Sequence, residues 1–204
     1  EGDLVDADLS EADLRRANLM KANLKGANLI KALLINSDLT NAIIEQQSLE
    51  FAVLCYTKLM DGIRSGCYQR EANLGKVNLS RTDLRGANFA WADLSEADLS
   101  GADLSGANLK GANLSRASFA GAKLRKANLT RTYLTEANLT KANLKKAHLR
   151  GTILTRANLT QSNLTGADLS SEPLFTTSLY KANLNSADLM GANLSDAELM
   201  KASL

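Results

Sequence analysis

The chain has 204 residues, enough for one sizeable domain or two small ones, and is 45% hydrophobic but only 4% aromatic. Lys and Arg number 24 against 22 Asp and Glu, a net charge of +2. One His and two Cys cannot assemble an ordinary His/Cys zinc cluster or a multi-bridge secreted scaffold, and no run approaches the roughly 18 apolar residues of a membrane helix.

Order carries what the counts hide. Leu9, Leu14, Leu19, Leu24 and Leu29 are five residues apart, and that register, taken from Leu4 to Leu204, gives 41 positions. Thirty-six are Leu, two are Phe (Phe89, Phe119) and one is Ile44; only Arg64 and Gln69 are polar. Two residues before each centre, 28 of 41 positions are Ala; one residue before, 25 of 41 are Asp or Asn. The unit is A-(D/N)-L-x-x.

A period of five suits neither regular element. On a helix each Leu would advance about 140° and the leucines would ring the axis. On a flat strand an odd step flips successive leucines to opposite faces. The chain therefore turns once per pentad. Leu fills an axis, the small residue two before it sits at the inner corner, and the other three positions face solvent. A single Pro agrees, because stacked coils need their backbone N–H groups for neighbours.

This A-(D/N)-L-x-x tandem resembles the pentapeptide-repeat family over residues 3–59 and 72–204. The resemblance implies an all-β chain: a right-handed quadrilateral parallel β-helix, four pentads per coil and about ten coils. At about 4.8 Å per coil the rod is roughly 48 Å long, and residues 20 apart stack on one face. The expectation is a single domain over 1–204 with no cofactor, interrupted twice.

The first interruption is Met60–Glu71, where Arg64 and Gln69 cannot enter an aliphatic axis and Asp61-Gly62 and Ser65-Gly66 are turn signals. It is expected to form a loop whose length preserves the register. Leu33 stacks on Val53 and Ile35 on Cys55, all at outward positions that are polar in most repeats. Ile63 and Tyr68 of the loop are expected to fold over this apolar patch; the alternative is a partner site. Cys55 and Cys67 flank the loop. A disulfide suits an oxidising compartment and two free thiols suit the cytosol, and the chain begins at Glu1, so any leader would not be visible.

The second interruption is Ser171-Glu172-Pro173, where Glu172 takes a small-residue position and Pro173 removes a donor, so a bulge is expected. Phe175, Tyr180, Met190 and Met200 take outward positions nearby, and Tyr180 stacks on Met200. No cap follows Leu204, which fits either an edge open to pairing or a native terminus missing from the sequence; in the resembling family end-to-end dimers through the last coil are common, so a homodimer is expected.

Catalysis needs converging groups in a shielded cleft, which a rod packed with Leu and Ala does not offer, so no enzyme is expected. His148 stands at an Asp/Asn place facing solvent. Aspartate columns such as Asp83/Asp103 and Asp168/Asp188 are by-products of the repeat, and a flat column does not supply the six to eight oxygens that calcium takes.

Charge distribution says more than its sum. Residues 110–156 hold eleven Lys and Arg against Glu136 alone, a net of +10, so the remainder is −8. Within this belt Arg125 and Lys126 stack on Lys145 and Lys146, with Arg131 and Arg150 around the next corner. Three functional readings follow. The favoured one is a non-catalytic scaffold presenting flat faces, the loop patch (Leu33, Ile35, Val53, Cys55, Ile63, Tyr68) and the end contact (Tyr180, Met200, Leu204) to a protein partner. The second is polyanion or nucleic-acid binding through the belt. The third, implied by the resemblance, is mimicry of DNA toward gyrase. Magnitude disfavours it: 48 Å of B-DNA carries about 28 negative charges, against a basic belt here.

Overall fold

The computed structural model describes residues 2–59, 62–63, 67, 69 and 71–204. It divides into two compact units, Glu1–Tyr68 and Gln69–Leu204. The expected cover of Ile63 and Tyr68, and the centre at Arg64, lie outside the described side chains.

Both units are solenoids of β-bridges rather than long strands. In the second unit, parallel bridges join residues 20 apart, as in Asn73↔Asp93, Asn78↔Asp98, Asp83↔Asp103 and Asn88↔Asn108. Four pentads therefore make one coil, and four ladders run from coil to coil. The first unit repeats the spacing in Asp3↔Asn23, Asp8↔Asn28, Asp13↔Leu33 and Asn18↔Asp38.

Each pentad closes on a hydrogen-bonded turn. The Ala7 N–H donates to the Leu4 carbonyl at 3.2 Å, and the same bond recurs at Ala107 to Leu104 (2.9 Å) and Ala142 to Leu139 (3.0 Å). The second residue after each of these centres has positive φ, while the residue between does not. That is the type II pattern. Most of these corner residues are not glycine: φ is +58° at Lys141 and +59° at Gln161, against +69° at Gly106. A left-handed L-residue costs about 1–2 kcal/mol, partly offset because Gly loses more entropy on folding. Nothing lies within 4 Å of a Cβ built on Gly106, so Gly106→Ala tests the backbone alone. It is expected to cost about 0.5–1 kcal/mol and Gln161→Gly to gain a few tenths, read by thermal unfolding.

The preference for Asp or Asn before each Leu has a local cause. Its Oδ1 accepts the backbone N–H two residues on, at 3.1 Å from Ser10 to Asp8, 3.2 Å from Lys110 to Asn108 and 3.1 Å from Lys145 to Asn143. This Asx bond supports the turn. Asn side chains also bond along a ladder, as Asn113 Nδ2 does to Asp93 Oδ1 at 3.1 Å.

The axis of the second unit is Leu with Phe89 and Phe119, all fully buried between Leu79 and Leu169. Among the hydroxyls that replace the inner Ala, Thr132 and Thr152 both donate to the Leu129 carbonyl at 2.8 Å, whereas the buried Ser162 Oγ has no partner among the described residues. A buried hydroxyl without such a bond would carry a desolvation cost. In the first unit Leu24, Leu29, Leu34 and Leu39 form the core with Ala22, Ala27, Ala32 and Ala42. Regularity ends at a 3-10 turn, Gln46–Leu49, and a short antiparallel pair, β1 (Lys58–Leu59) with β2 (Gly62–Ile63).

Ladder spacing changes once in the second unit. Asn143 pairs with Asn163, but Ile153 pairs with Ser178, Asn163 with Asp188 and Asp168 with Asn193. Five residues have left the coil. The expected Asp168/Asp188 column therefore does not form: Asp168 receives Asn193 Nδ2 at 3.2 Å, and Asp188 sits above Asn163. Beyond the insertion the 20-residue step returns with Ser178↔Glu198.

Candidate functional site

The five extra residues form a hairpin. Glu172 and Phe175 exchange both backbone hydrogen bonds, at 2.9 and 3.0 Å, leaving Pro173 and Leu174 as a two-residue tip. Leu174 occupies a centre of the repeat register yet is 88% exposed, the most exposed large hydrophobic among the described residues.

The hairpin is pinned to the coil. Arg131 Nη2 lies 2.6 Å from Glu172 Oε2, and the Glu172 side chain is only 14% exposed. The Arg131 guanidinium also lies 4.1 Å from the centre of the Phe175 ring. Gly151 makes room for this approach: a Cβ there would stand 2.8 Å from Phe175 Cβ and 3.1 Å from its carbonyl, at φ +64°. Thr177 ties the base, its hydroxyl donating to the Ser170 carbonyl at 2.9 Å and accepting the Gly151 N–H at 2.8 Å. Two coils before Arg131 along the same corner, the half-exposed Trp91 ring covers Gly111, where any Cβ would overlap it. Sequence reading placed Arg131 in the basic belt and missed this pairing, 41 residues apart; the available signal was a lone Glu at an Ala position.

The other belt cations divide into two groups. Arg116 and Arg156 both hold Glu136, at 3.1 and 3.2 Å, and Lys76 lies 3.8 Å from Glu96 on the same corner. Hydrogen bonds from Arg116, then Arg156, hold the Glu136 carboxyl below its ordinary range. A shallow open depression lined by Ser95, Glu96, Ser115, Arg116, Thr135 and Glu136 follows this corner. Lys123 lies 3.5 Å from Asp103, and Arg150 3.8 Å from Asp168. By contrast, Arg125, Lys126, Lys141 and Lys146 make no ion pair with any described residue and are exposed. Lys145 is half-buried, and its charge is the smallest contribution lowering the Asp188 carboxyl, after hydrogen bonds from the Met190 backbone and Thr165. The Lys126 N–H donates to the Lys145 carbonyl at 3.1 Å, which sets Arg125 and Lys126 beside Lys145 and Lys146 on adjoining coils.

In the first unit Leu33 bridges Val53, and Leu33, Ile35, Val53 and Cys55 are all buried. Cys55 and Cys67 are joined by a disulfide, with Cα atoms 4.3 Å apart. Near the end of the second unit, the Lys181 and Lys201 ammoniums lie 5.2 and 6.0 Å from the centre of the Tyr180 ring, while Met200 and Leu204 are exposed. No described helix is long and apolar enough to cross a membrane.

These features sit on a repeat shared with known proteins. Residues 3–41, 66–101, 97–135, 132–170 and 177–204 match pentapeptide repeats, in eight copies. None of the curated proteins matches the chain. Among solved structures, the chain is similar to HetL, a pentapeptide repeat protein involved in heterocyst differentiation regulation in the cyanobacterium Nostoc: 33% identity over 99% of this chain and 90% of that one, TM-score 0.45. A thylakoid-lumen pentapeptide repeat protein of Arabidopsis thaliana is 34% identical over 52% of this chain and 70% of that one, TM-score 0.32. The plasmid-mediated fluoroquinolone resistance protein QnrB1 shares the fold at 18% identity, over 99% of this chain and 91% of that one, TM-score 0.50. With the signature repeated through most of its length and a β-helical solenoid built on it, the chain belongs to the pentapeptide-repeat family.

Proposed function

We propose that this protein is a non-catalytic interaction scaffold, a right-handed quadrilateral β-helix of about ten coils that docks a protein partner. Residues 1–204 are read as one interrupted repeat array. The observation that carries the reading is Leu174, 88% exposed on a two-residue tip. A large apolar side chain held in water on a pinned hairpin loses little conformational entropy on docking. Arg131 and Phe175 at its base, and Trp91 two coils away along the same corner, are of residue types found at binding hot spots. Mimicry of DNA toward gyrase fits poorly with a belt of net +10. A homodimer through the coil ending at Leu204 belongs to the same proposal, and a single-chain mass at high concentration by light scattering removes it.

The test is affinity capture from cells, comparing the wild type, Leu174→Ser and a deletion of Met60–Glu71. A stoichiometric partner lost with Leu174→Ser supports docking through the hairpin. Loss only with the deletion moves the docking element to the loop. No stoichiometric partner with any form sinks the scaffold reading.

A further inference from the structure

We propose that one face of the second unit binds a phosphate strand of duplex nucleic acid. The face is the ladder Asp83–Asp103–Lys123–Asn143–Asn163–Asp188. Ion pairing sorts the belt. Arg116, Arg131, Arg150, Arg156 and Lys123 are each committed to a carboxylate. Arg125, Lys126, Lys145 and Lys146 pair with no described carboxylate, and all four lie on two adjoining coils of this ladder, with Lys141 at its leading corner; Lys110, also without a described carboxylate partner, follows the Asn88–Asn108–Asn128 ladder instead. Four of the five side chains on this face are exposed, so their charges meet solvent rather than acids of the protein.

The footprint has limits. Asp103 lies one coil before Lys123, and Asp188 two coils beyond Asn143. Four steps of about 4.8 Å separate these carboxylates, roughly 19 Å. Between them the five cations lie on two adjoining coils, about 4.8 Å apart, and the ladder's Asn143 and Asn163, with Thr165, are neutral. The span between the carboxylates leaves a phosphate strand room to approach the two cationic coils without meeting Asp103 or Asp188. The face carries no aromatic residue; Tyr133 belongs to the Asn113–Tyr133–Ile153 ladder. Without stacking groups a single strand gains little there, whereas a duplex presents its phosphates outward to a flat cationic surface. Contacts of this kind position without reading sequence.

The experiment is fluorescence anisotropy of labelled DNA and RNA duplexes of about 20 base pairs, with the full chain and salt varied. Wild type is expected to bind a duplex with a Kd of about 1–100 μM near physiological salt, and log affinity to fall against log salt with a slope near −4. The variant Arg125→Ser/Lys126→Ser/Lys145→Ser/Lys146→Ser is expected to lose at least tenfold in affinity and most of the slope. Arg116→Ser/Arg156→Ser, which removes as much as half that charge from a different corner, is expected to bind within about twofold of wild type. The DNA and RNA arms say which duplex is preferred. Absence of wild-type binding, unchanged binding by the quadruple variant, equal loss in the control, or equally good competition by polyglutamate each overturns the proposal. Should the quadruple variant not fold, Lys126→Ser/Lys146→Ser, both exposed corners, takes its place with an expected loss of at least threefold.

Discussion

Leu164→Ala is expected to cost about 3–4 kcal/mol and Leu174→Ala less than about 0.5 kcal/mol, although both leucines are centres of the same five-residue register. Leu164 is fully buried in the axis, with Ser162 and Ala167 as its inner neighbours. Removing three carbons there forfeits the transfer free energy and leaves a cavity that a column of stacked coils cannot collapse around without moving its ladder. Leu174 is 88% exposed and loses almost no contact on truncation. Thermal or urea unfolding of the two variants, with equal denaturant slopes, checks the comparison. Equal losses would mean that the pentad of Leu174 is part of the coil.

The second large effect is at the hairpin base. Arg131→Ala is expected to cost about 1–3 kcal/mol, because it removes the cation over Phe175 and leaves Glu172, 14% exposed, without its partner. Arg131→Ala/Glu172→Ala is expected to be milder than the sum of its single changes, since the second substitution removes the orphaned carboxylate. Gly151→Ala is expected to release the hairpin by another route. Its Cβ would meet backbone as well as side chain of Phe175, at a φ that already disfavours L-residues. Limited proteolysis within 171–175 reads the release directly. Additive energies for Arg131 and Glu172, or unchanged protection in Gly151→Ala, would show that the hairpin is not held by these contacts.

Much of the fold was legible because one rule recurs in nearly every pentad. Leu in the axis, Ala or a small hydroxyl at the inner corner and a turn after each centre follow from a period that no straight element accommodates. The Asx bond explains the Asp and Asn preference that the pattern displays without giving its reason. The cluster of Arg125, Lys126, Lys145 and Lys146 was also legible, since residues 20 apart share a ladder before the hairpin.

The low aromatic count and the near-neutral charge were properties of the sequence alone, and so was the pentad. Which pentads enter the coil was decided by the tertiary structure. An insertion of five residues leaves the register of leucines unbroken, so the pattern cannot distinguish a centre in the axis, such as Leu164, from one turned into water, such as Leu174. Which cations are available was decided there too. Arg131 reaches Glu172 across 41 residues only because the hairpin folds back over Gly151, while Arg125 and Lys126 face a ladder whose nearest carboxylate is already held by Lys123. Charge along a chain is additive, but the pairing that neutralises it depends on the few ångströms that folding sets.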